Sequence, residues 1–571
     1  MVSKHIKISI AAMLALIMLL AAGSGYTASV GSLWPAGTVR DGQMNINRQA
    51  KRFNMTYIYF GDPASYIGRV DGTRGSLDHV APSYFDLNED GTLRLTKAAD
   101  RNFVEAMHER GIRVTPFLSN HWDRESGIKA LDRRELLAAQ IAEAVAEYDL
   151  DGVNVDIENV TEAERDKYTD FVRILRQMLP ADKSISVAVA ANPSGSTEGW
   201  HASYDPAGLL PYCDYLMVMA YDQHYIGDVE DTGGAGPVAG YGFVEESIKA
   251  ALKEIPPGKL VLGVPFYGRL WKRGAGYGGY GISNNTVEKL VRDYNGKVIF
   301  DEGQGSPRAV ITIKPADLKP VISGVELEPG TYDIWYENEA SIKRKLELVE
   351  KYGLKGTGSW SLGQETKETW DYYSLWLDGI YFSDIQRHWA KASIAAAVLN
   401  GWMKGVSGTR FEPESPLTRA QAATLLTRVL GIDVSSNGPD ALAFTIAEVP
   451  DCPVFTDTEG HWAQKEIDAA AKAGIFRGVG GGRFKPDEAL TREQIAVLLD
   501  RLLDHSDHGT ACPASFADID PSRAWSYDAI CRMAAGGFIR GFPDGTFRPK
   551  EAVNRGQVAV LVERIAPDIG I

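Results

Sequence analysis

Apolar positions along the chain follow two alternating rhythms. Short runs such as Thr56-Tyr57-Ile58-Tyr59-Phe60 are continuously apolar or alternate with period two, the spacing of a β-strand; between them apolar residues return every three or four positions, the spacing of an amphipathic helix. The pattern predicts strands over 56–60, 77–85, 112–118, 151–158, 184–190, 215–221, 259–267 and 356–360. Helices are predicted over 98–110, 133–148, 162–179, 244–253 and 340–352. Eight strands mostly separated by helices fit an α/β (β/α)8 barrel. A doubly wound open sheet fits less well, because no glycine-rich nucleotide loop follows a first strand. Between 272 and 332 the alternation breaks into glycine-rich turns and strand-like pieces such as Ala309–Ile313, which predicts a small α+β insertion after strand seven, placed to wall a groove.

From Phe382 the rhythm changes and an internal repeat appears. Phe382-Ser383-Asp384, Phe455-Thr456-Asp457 and Phe516-Ala517-Asp518 open three units, bounded at about 380–434, 453–505 and 514–567. Each sets a tryptophan at its first helix (Trp389, Trp462, Trp525) and closes on Thr418-Arg419-Ala420-Gln421, Thr491-Arg492-Glu493-Gln494 or Asn554-Arg555-Gly556-Gln557. The Thr-x-x-Gln spacing is a helix capping box. The arginines fall in the first helical turn, where the helix dipole disfavours a cation. An arginine set there three times points to an anionic ligand, or to carboxylates of the neighbouring repeat. Residues 433–451 read as a linker within the array.

Composition narrows the function classes. The 571 residues carry a formal net charge of −15, which argues against nucleic acid or an anionic membrane as the main partner. Lys4, His5 and Lys7 precede an apolar run from Ile8 to Ala22, so residues 1–28 read as a secretory signal and the barrel domain as 29–378, with no later segment long and apolar enough to span a bilayer. The four cysteines match no zinc spacing; Cys213 reads as a buried thiol, and a bridge among Cys452, Cys512 and Cys531 is open. No metal or cofactor is expected.

The strand Asp151-Gly152-Val153-Asn154-Val155-Asp156-Ile157-Glu158 carries the chemistry. Alternation sets Asn154, Asp156 and Glu158 on one face and Val153, Val155 and Ile157 on the other. Two carboxylates at i and i+2 disfavour each other's ionisation, which leaves one as a general acid near neutral pH. Glu158, nearest the mouth of a barrel, is the better acid. Met217, Met219 and Tyr221 share a face, with Asp222 just beyond. On the last strand Gly356, Gly358 and Trp360 align, leaving space beneath one indole that could floor a sugar ring.

These residues resemble glycoside hydrolase family 18, the chitinase-like barrels. Asp151–Glu158 resembles its D-G-x-D-x-D-x-E signature, and Met219–Asp222, Gly263–Arg269 and Trp360 match later landmarks in order, from about Thr56 to Gln364. The resemblance implies retaining cleavage of β-linked N-acetylglucosamine glycans in which the substrate's own acetamido oxygen is the nucleophile. By position, Glu158 would protonate the leaving oxygen, Asp156 orient the acetamido group and Tyr221 bond its carbonyl. Asn154, Met219, Asp222, Trp360, Tyr267 and Arg269 would contact the sugar. Asn154 stands where the family has an acid, and Phe117-Leu118-Ser119-Asn120 replaces its Ser-x-Gly-Gly stretch; the first bears on the pH profile, the second on substrate preference. Asn154 with Asn159-Val160 resembles the spore-cortex and peptidoglycan glucosaminidase branch.

The repeats resemble S-layer homology domains, which implies that Arg419, Arg492, Arg555, Trp389, Trp462 and Trp525 hold an anionic secondary polysaccharide of a Gram-positive wall. Together these expectations describe a secreted, wall-attached glycosidase. A lectin on the same barrel and a surface-assembly protein are the alternatives, and chitin and peptidoglycan are both open as substrate.

Overall fold

The computed structural model describes residues 51–432, 434, 454–503 and 516–571, less 232 and 523. The signal segment, Cys452, Cys512 and all of the 433–451 linker but residue 434 lie outside the described residues. The chain forms two compact units, one of residues 48–386 and one that holds 387–571. Among the described residues no helix is long and apolar enough to cross a membrane.

The first unit is built on eight parallel barrel strands. They are Phe53–Ile58, a broken second strand (His79–Pro82 and Phe85–Leu87), a broken third (Arg113–Val114 and Phe117–Ser119), Gly152–Asp156, Ser184–Ala190, Tyr215–Met219, Leu260–Pro265 and Gly356–Trp360. Each pairs with the next in parallel, and the eighth returns to the first with Phe53 beside Gly356. Strands two and three meet twice, at Val80 beside Val114 and at Asp86 beside Ser119, and these two meetings close the ring. The break in each strand lets the chain bend at the rim. It divides the run predicted over 77–85, whose pattern shows no interruption.

Side chains from both periods fill the two layers of this architecture. Val153, Val155 and Ile157 are fully buried on the outer face, where Leu137 and Ile141 of helix Arg134–Glu147 and Phe171 and Leu175 of helix Arg165–Met178 are also buried. Inside, Met55, Tyr57, Phe117, Tyr215, Met217 and Val261 form the barrel core. The space predicted beneath Trp360 is filled: a Cβ on Gly358 would lie 3.1 Å from Met217 Cγ and 3.2 Å from Met55 Cγ. Gly152 is required by its strand, since its φ is +144° and a Cβ would fall 1.8 Å from the Ser184 carbonyl oxygen.

The insertion begins earlier than its sequence pattern shows. Barrel strand seven stops at Pro265, and Tyr267–Lys272, whose residues read as its continuation, enters a separate five-stranded sheet. That sheet is antiparallel, ends at Gly330–Trp335, and carries helix Asn284–Asp293 over its own core of Leu270, Val287, Leu290, Ile311 and Ile334. Just after it, the fully buried Glu337 and Lys345 pair at 2.8 Å.

The second unit is a closed ring of three repeats. Each has an opening and a closing helix: Lys391–Leu399 and Arg419–Val429, Gln464–Lys472 and Arg492–Asp500, Tyr527–Ala535 and Arg555–Ile565. Each closing helix packs on the opening helix of the next repeat, the third returning to the first. At the centre the Leu417 N–H donates to Val553, Val553 to Leu490 and Leu490 back to Leu417, all at 2.8–2.9 Å. All three capping boxes form, with Thr418, Thr491 and Asn554 each accepting from the glutamine N–H three residues on. Cys531 is disulfide-bonded and Cys213 is a free, buried thiol.

Candidate active site

The register of strands three to five decides how deep each residue of the acidic strand lies. Asn154 stands beside Phe117 and Ser186, and Asp156 beside Ser119, one step nearer the mouth. Asn154 is therefore fully buried: its Oδ1 accepts from the Tyr57 hydroxyl at 2.9 Å and its Nδ2 donates to Ser186 Oγ at 2.8 Å. This corrects its assignment as a sugar contact. It is a neutral support beneath Asp156, with both polar atoms already engaged. Asp151, the first residue of the signature, is also structural; its carboxylate accepts the Val114 N–H at 2.7 Å and joins strand three to strand four.

Above Asn154 the barrel opens into a cavity of about 340 Å³ lined by Asp156, Glu158, Met219, Tyr221, Asp222, Tyr267 and Trp360. Seven of the predicted site residues thus converge from barrel strands four, six and eight, from the turns just beyond strands four and six, and from the first strand of the inserted sheet, which supplies Tyr267. The indole of Trp360 sits 5.2 Å from the Tyr57 ring, 5.6 Å from Tyr59 and 5.8 Å from Phe117, and its bond to Ser361 is cis. Asp222, held at φ +58°, accepts from the Tyr267 hydroxyl at 2.8 Å and from Arg269 at 2.6 Å. Arg269 lines a second cavity, about 550 Å³, which shares Asp222, Tyr267 and Trp360 with the first and reaches Ser283, Thr286 and Ser323 of the insertion. The two cavities adjoin at these three shared residues.

Burial governs the charges at the centre of the site. It pushes the Asp156 carboxyl up to about 7, opposed by His121, and raises Glu158 well above the ordinary carboxylate range, with Asp156 and Asp222 adding to the effect. Asp156 Oδ1 is buried and has no hydrogen-bond partner. A buried acceptor left unmet costs about 1–3 kcal/mol, so the site waits for a donor. The pair can hold one proton near neutral pH and present one carboxylate and one acid to a bound sugar.

Residues not singled out from the sequence complete the site. Tyr57 and Tyr59 line the cavity, and their i, i+2 spacing on the first strand was the signal for a shared face. Asn120 receives the Glu158 N–H at 2.8 Å and donates to the Glu158 carbonyl at 2.8 Å, clamping the acid's backbone. Ser119, His121 and Trp122 follow the same strand into the cavity wall. This stretch stands where the family has Ser-x-Gly-Gly, and here it lines the cavity with side chains.

The repeat unit overturns the arginine assignment. Arg419, Arg492 and Arg555 are 5%, 3% and 6% exposed, too deep to touch a polymer. Each Nε donates into the neighbouring repeat: Arg419 to the Phe484 carbonyl at 2.8 Å, Arg492 to Phe547 at 2.7 Å, Arg555 to Phe411 at 2.9 Å. Their guanidinium groups lie 4.4–4.8 Å from the centres of those phenyl rings. Carbonyl oxygens and aromatic faces engage these cations, and carboxylates of the neighbouring repeat, Glu488 and Asp457 for Arg419 and Glu551 and Asp518 for Arg492, favour their charge as the second of the two sequence readings expected. Trp462 and Trp525 are 62% and 60% exposed, and Trp389 is half-buried.

A (β/α)8 barrel with paired acids and an indole at its mouth is an arrangement that fits a glycosidase. The sequence matches the model of Glycosyl hydrolases family 18 over residues 55–365, so the chain belongs to that family. It also matches the S-layer homology domain at 381–423, 454–496 and 515–559, which points to attachment at a cell surface. It is 24% identical over 339 residues to the uncharacterized glycosylase YvbX of Bacillus subtilis, covering 57% of this chain and 92% of that one. It is 30% identical over 233 residues to the putative sporulation-specific glycosylase YdhD of the same organism, covering 40% of this chain and 51% of that one. It is 31% identical over 166 residues to the cellulosome-anchoring protein of Acetivibrio thermocellus, covering 28% of this chain and 35% of that one. The chain thus spans about half of the second relative and about a third of the third.

Proposed function

We propose that the chain hydrolyses β-1,4-linked N-acetylglucosamine glycans at a cell surface, with retention and with the substrate's acetamido group as nucleophile. The observation that carries this reading is the buried Asp156 carboxyl without a partner, beside a raised Glu158 and under the Trp360 indole. An acetamido N–H is the donor that Asp156 lacks. In this reading Asp156 orients that group and stabilises the charge that develops on it. Glu158 protonates the leaving oxygen and then takes the proton of the incoming water. Tyr221 bonds the acetamido oxygen, and Trp360 floors the ring. Met219 packs against the sugar; Asp222, Tyr267 and Arg269 contact it where the two cavities join. Trp389, Trp462 and Trp525 are offered to wall polysaccharide, the arginines acting only by closing the ring.

A second cavity, adjoining the first and walled by the insertion, favours a polymer over a short oligomer, and the name of the sporulation-specific relative favours peptidoglycan over chitin. The test is mass-spectrometric product analysis of the full chain on N-acetylglucosamine oligomers and on peptidoglycan, with Glu158→Gln as control. Cleavage that the control lacks supports the reading, and the preferred polymer names the substrate. Binding without cleavage by the wild-type chain would make the barrel a lectin.

A further inference from the structure

The third barrel strand ends in a feature that the reaction as described leaves unused. After Ser119 the backbone takes two successive left-handed residues, His121 at φ +47° and Trp122 at φ +65°. Neither residue is glycine, and each such conformation costs of the order of 1–3 kcal/mol. The turn is pinned from both sides: the His121 N–H donates to Ser119 Oγ at 3.0 Å, and Asn159 Nδ2 donates to the Trp122 carbonyl at 2.8 Å. Its outcome is that the imidazole lines the same cavity as Asp156 and Glu158. Nε2 of that ring is hydrogen-bonded to Asp86, a buried carboxylate at the end of strand two, and Asp86 is bonded in turn by Arg94 at 2.6 Å.

The charges of this cavity are otherwise of one sign. Among its lining residues Asp156, Glu158 and Asp222 are acids, and His121 alone can be a cation. The groups that face His121 are Asp86 and Arg94 from strand two and the edge strand after it, Asp156 from strand four, and the Tyr59 ring, 6.0 Å away, from the loop after strand one. Below Asp156, where a third acid would set the charge, stands the neutral Asn154 with its amide engaged by Tyr57 and Ser186. The balance between the two acids must therefore be set from the side. Resting on the hydrolytic reading above, we propose that His121, anchored by Asp86, is a positioning residue for the reaction: its cationic ring faces Asp156 and decides which of the two strand-four carboxyl groups carries the proton.

The mechanism is electrostatic. Asp86 favours the protonated ring, since a carboxylate accepting from Nε2 raises His121 above its ordinary range. The ring's charge opposes the burial that would protonate Asp156, so the proton resides on Glu158, where the leaving oxygen needs it. No covalent step is added; His121 exchanges no proton with substrate.

The test is the pH dependence of kcat and kcat/KM of the full chain on a soluble N-acetylglucosamine oligomer. His121→Asn is the variant of choice, because asparagine tolerates the left-handed backbone and carries no charge. Its acid limb is expected to move up by about one pH unit, with kcat lowered more than KM is changed. His121→Lys is expected to restore the limb toward wild type, and Asp86→Asn to give a smaller shift in the same direction. An acid limb unmoved in His121→Asn and Asp86→Asn alike, or a lysine variant no better than the asparagine one, would overturn the proposal and leave His121 a wall residue. A wild-type chain that cleaves nothing would instead sink the hydrolytic reading itself.

Discussion

Both units of this protein bury charged side chains, and they do opposite things with them. In the barrel, Asp156 is taken out of water with a need unmet, its Oδ1 without a partner, and the carboxyls of Asp156 and of the half-buried Glu158 are both pushed toward the protonated form. In the repeat ring, three arginines are buried as deeply but each is met by a carbonyl oxygen and a phenyl ring of the next repeat. A buried charge without a partner destabilises the fold and persists where a ligand completes it; one with partners ties elements together. Burial alone thus says little about function, and the state of the partners says much.

The largest expected effect separates the two units most sharply. Glu158→Gln is expected to lower turnover by about 10²–10⁴-fold or more through loss of the general acid, with the melting temperature held or raised. Initial rates and thermal unfolding on the same sample check this, and a rate above a tenth of wild type would remove Glu158 from the acid's role. Next, Arg492→Met strips its hydrogen bonds from the Phe547 and Arg540 carbonyls and should cost the repeat unit about 1–3 kcal/mol while leaving hydrolysis of soluble oligomers unchanged. Calorimetry reads it; an unmoved transition would mean that the contact holds nothing.

Asp156 sharpens the comparison through pH. Its folded value of about 7 lies above the ordinary aspartate value near 4, so between the two the folded state keeps a proton that the unfolded chain releases. The stability this group lends is complete below about pH 4 and lost as pH rises through 7. Asp156→Asn should therefore raise the melting temperature by roughly 2–5 °C at pH 8, leave it nearly unchanged at pH 4, and abolish most turnover. Equal shifts at both pH values would place the strain elsewhere. The smallest effect on the fold is expected from Trp462→Ala with Trp525→Ala, whose side chains are mostly exposed. Pelleting with isolated walls should weaken several-fold while stability changes by less than about 0.5 kcal/mol per site; unchanged pelleting would remove the indoles from the polymer contact.

What could be read from the chain follows the range of the interactions. Alternation along one strand was enough to set Asp156 and Glu158 on the inner face, and capping boxes four residues long located the closing helices. Asn154 was legible as inward-facing, yet its depth depends on Ser186, which reaches it only through the pairing of strands four and five. The arginines were legible as misplaced cations, but their acceptors lie 65, 55 and 144 residues away, beyond any local pattern. His121 escaped notice for the same reason: its partner Asp86 lies 35 residues back on another strand. The bound of the insertion was missed because Tyr267–Lys272 continues the apolar character of a barrel strand while pairing in a different sheet.

The measurement that bears most directly on the contrast is to follow oligomer hydrolysis and thermal unfolding together in the full chain for Glu158→Gln and Arg492→Met. The account predicts a crossing: the first variant loses turnover and keeps its stability, and the second keeps turnover while the repeat transition falls. A Glu158 variant that unfolds early yet still cleaves, with an Arg492 variant that stays stable and stops cleaving, would contradict it.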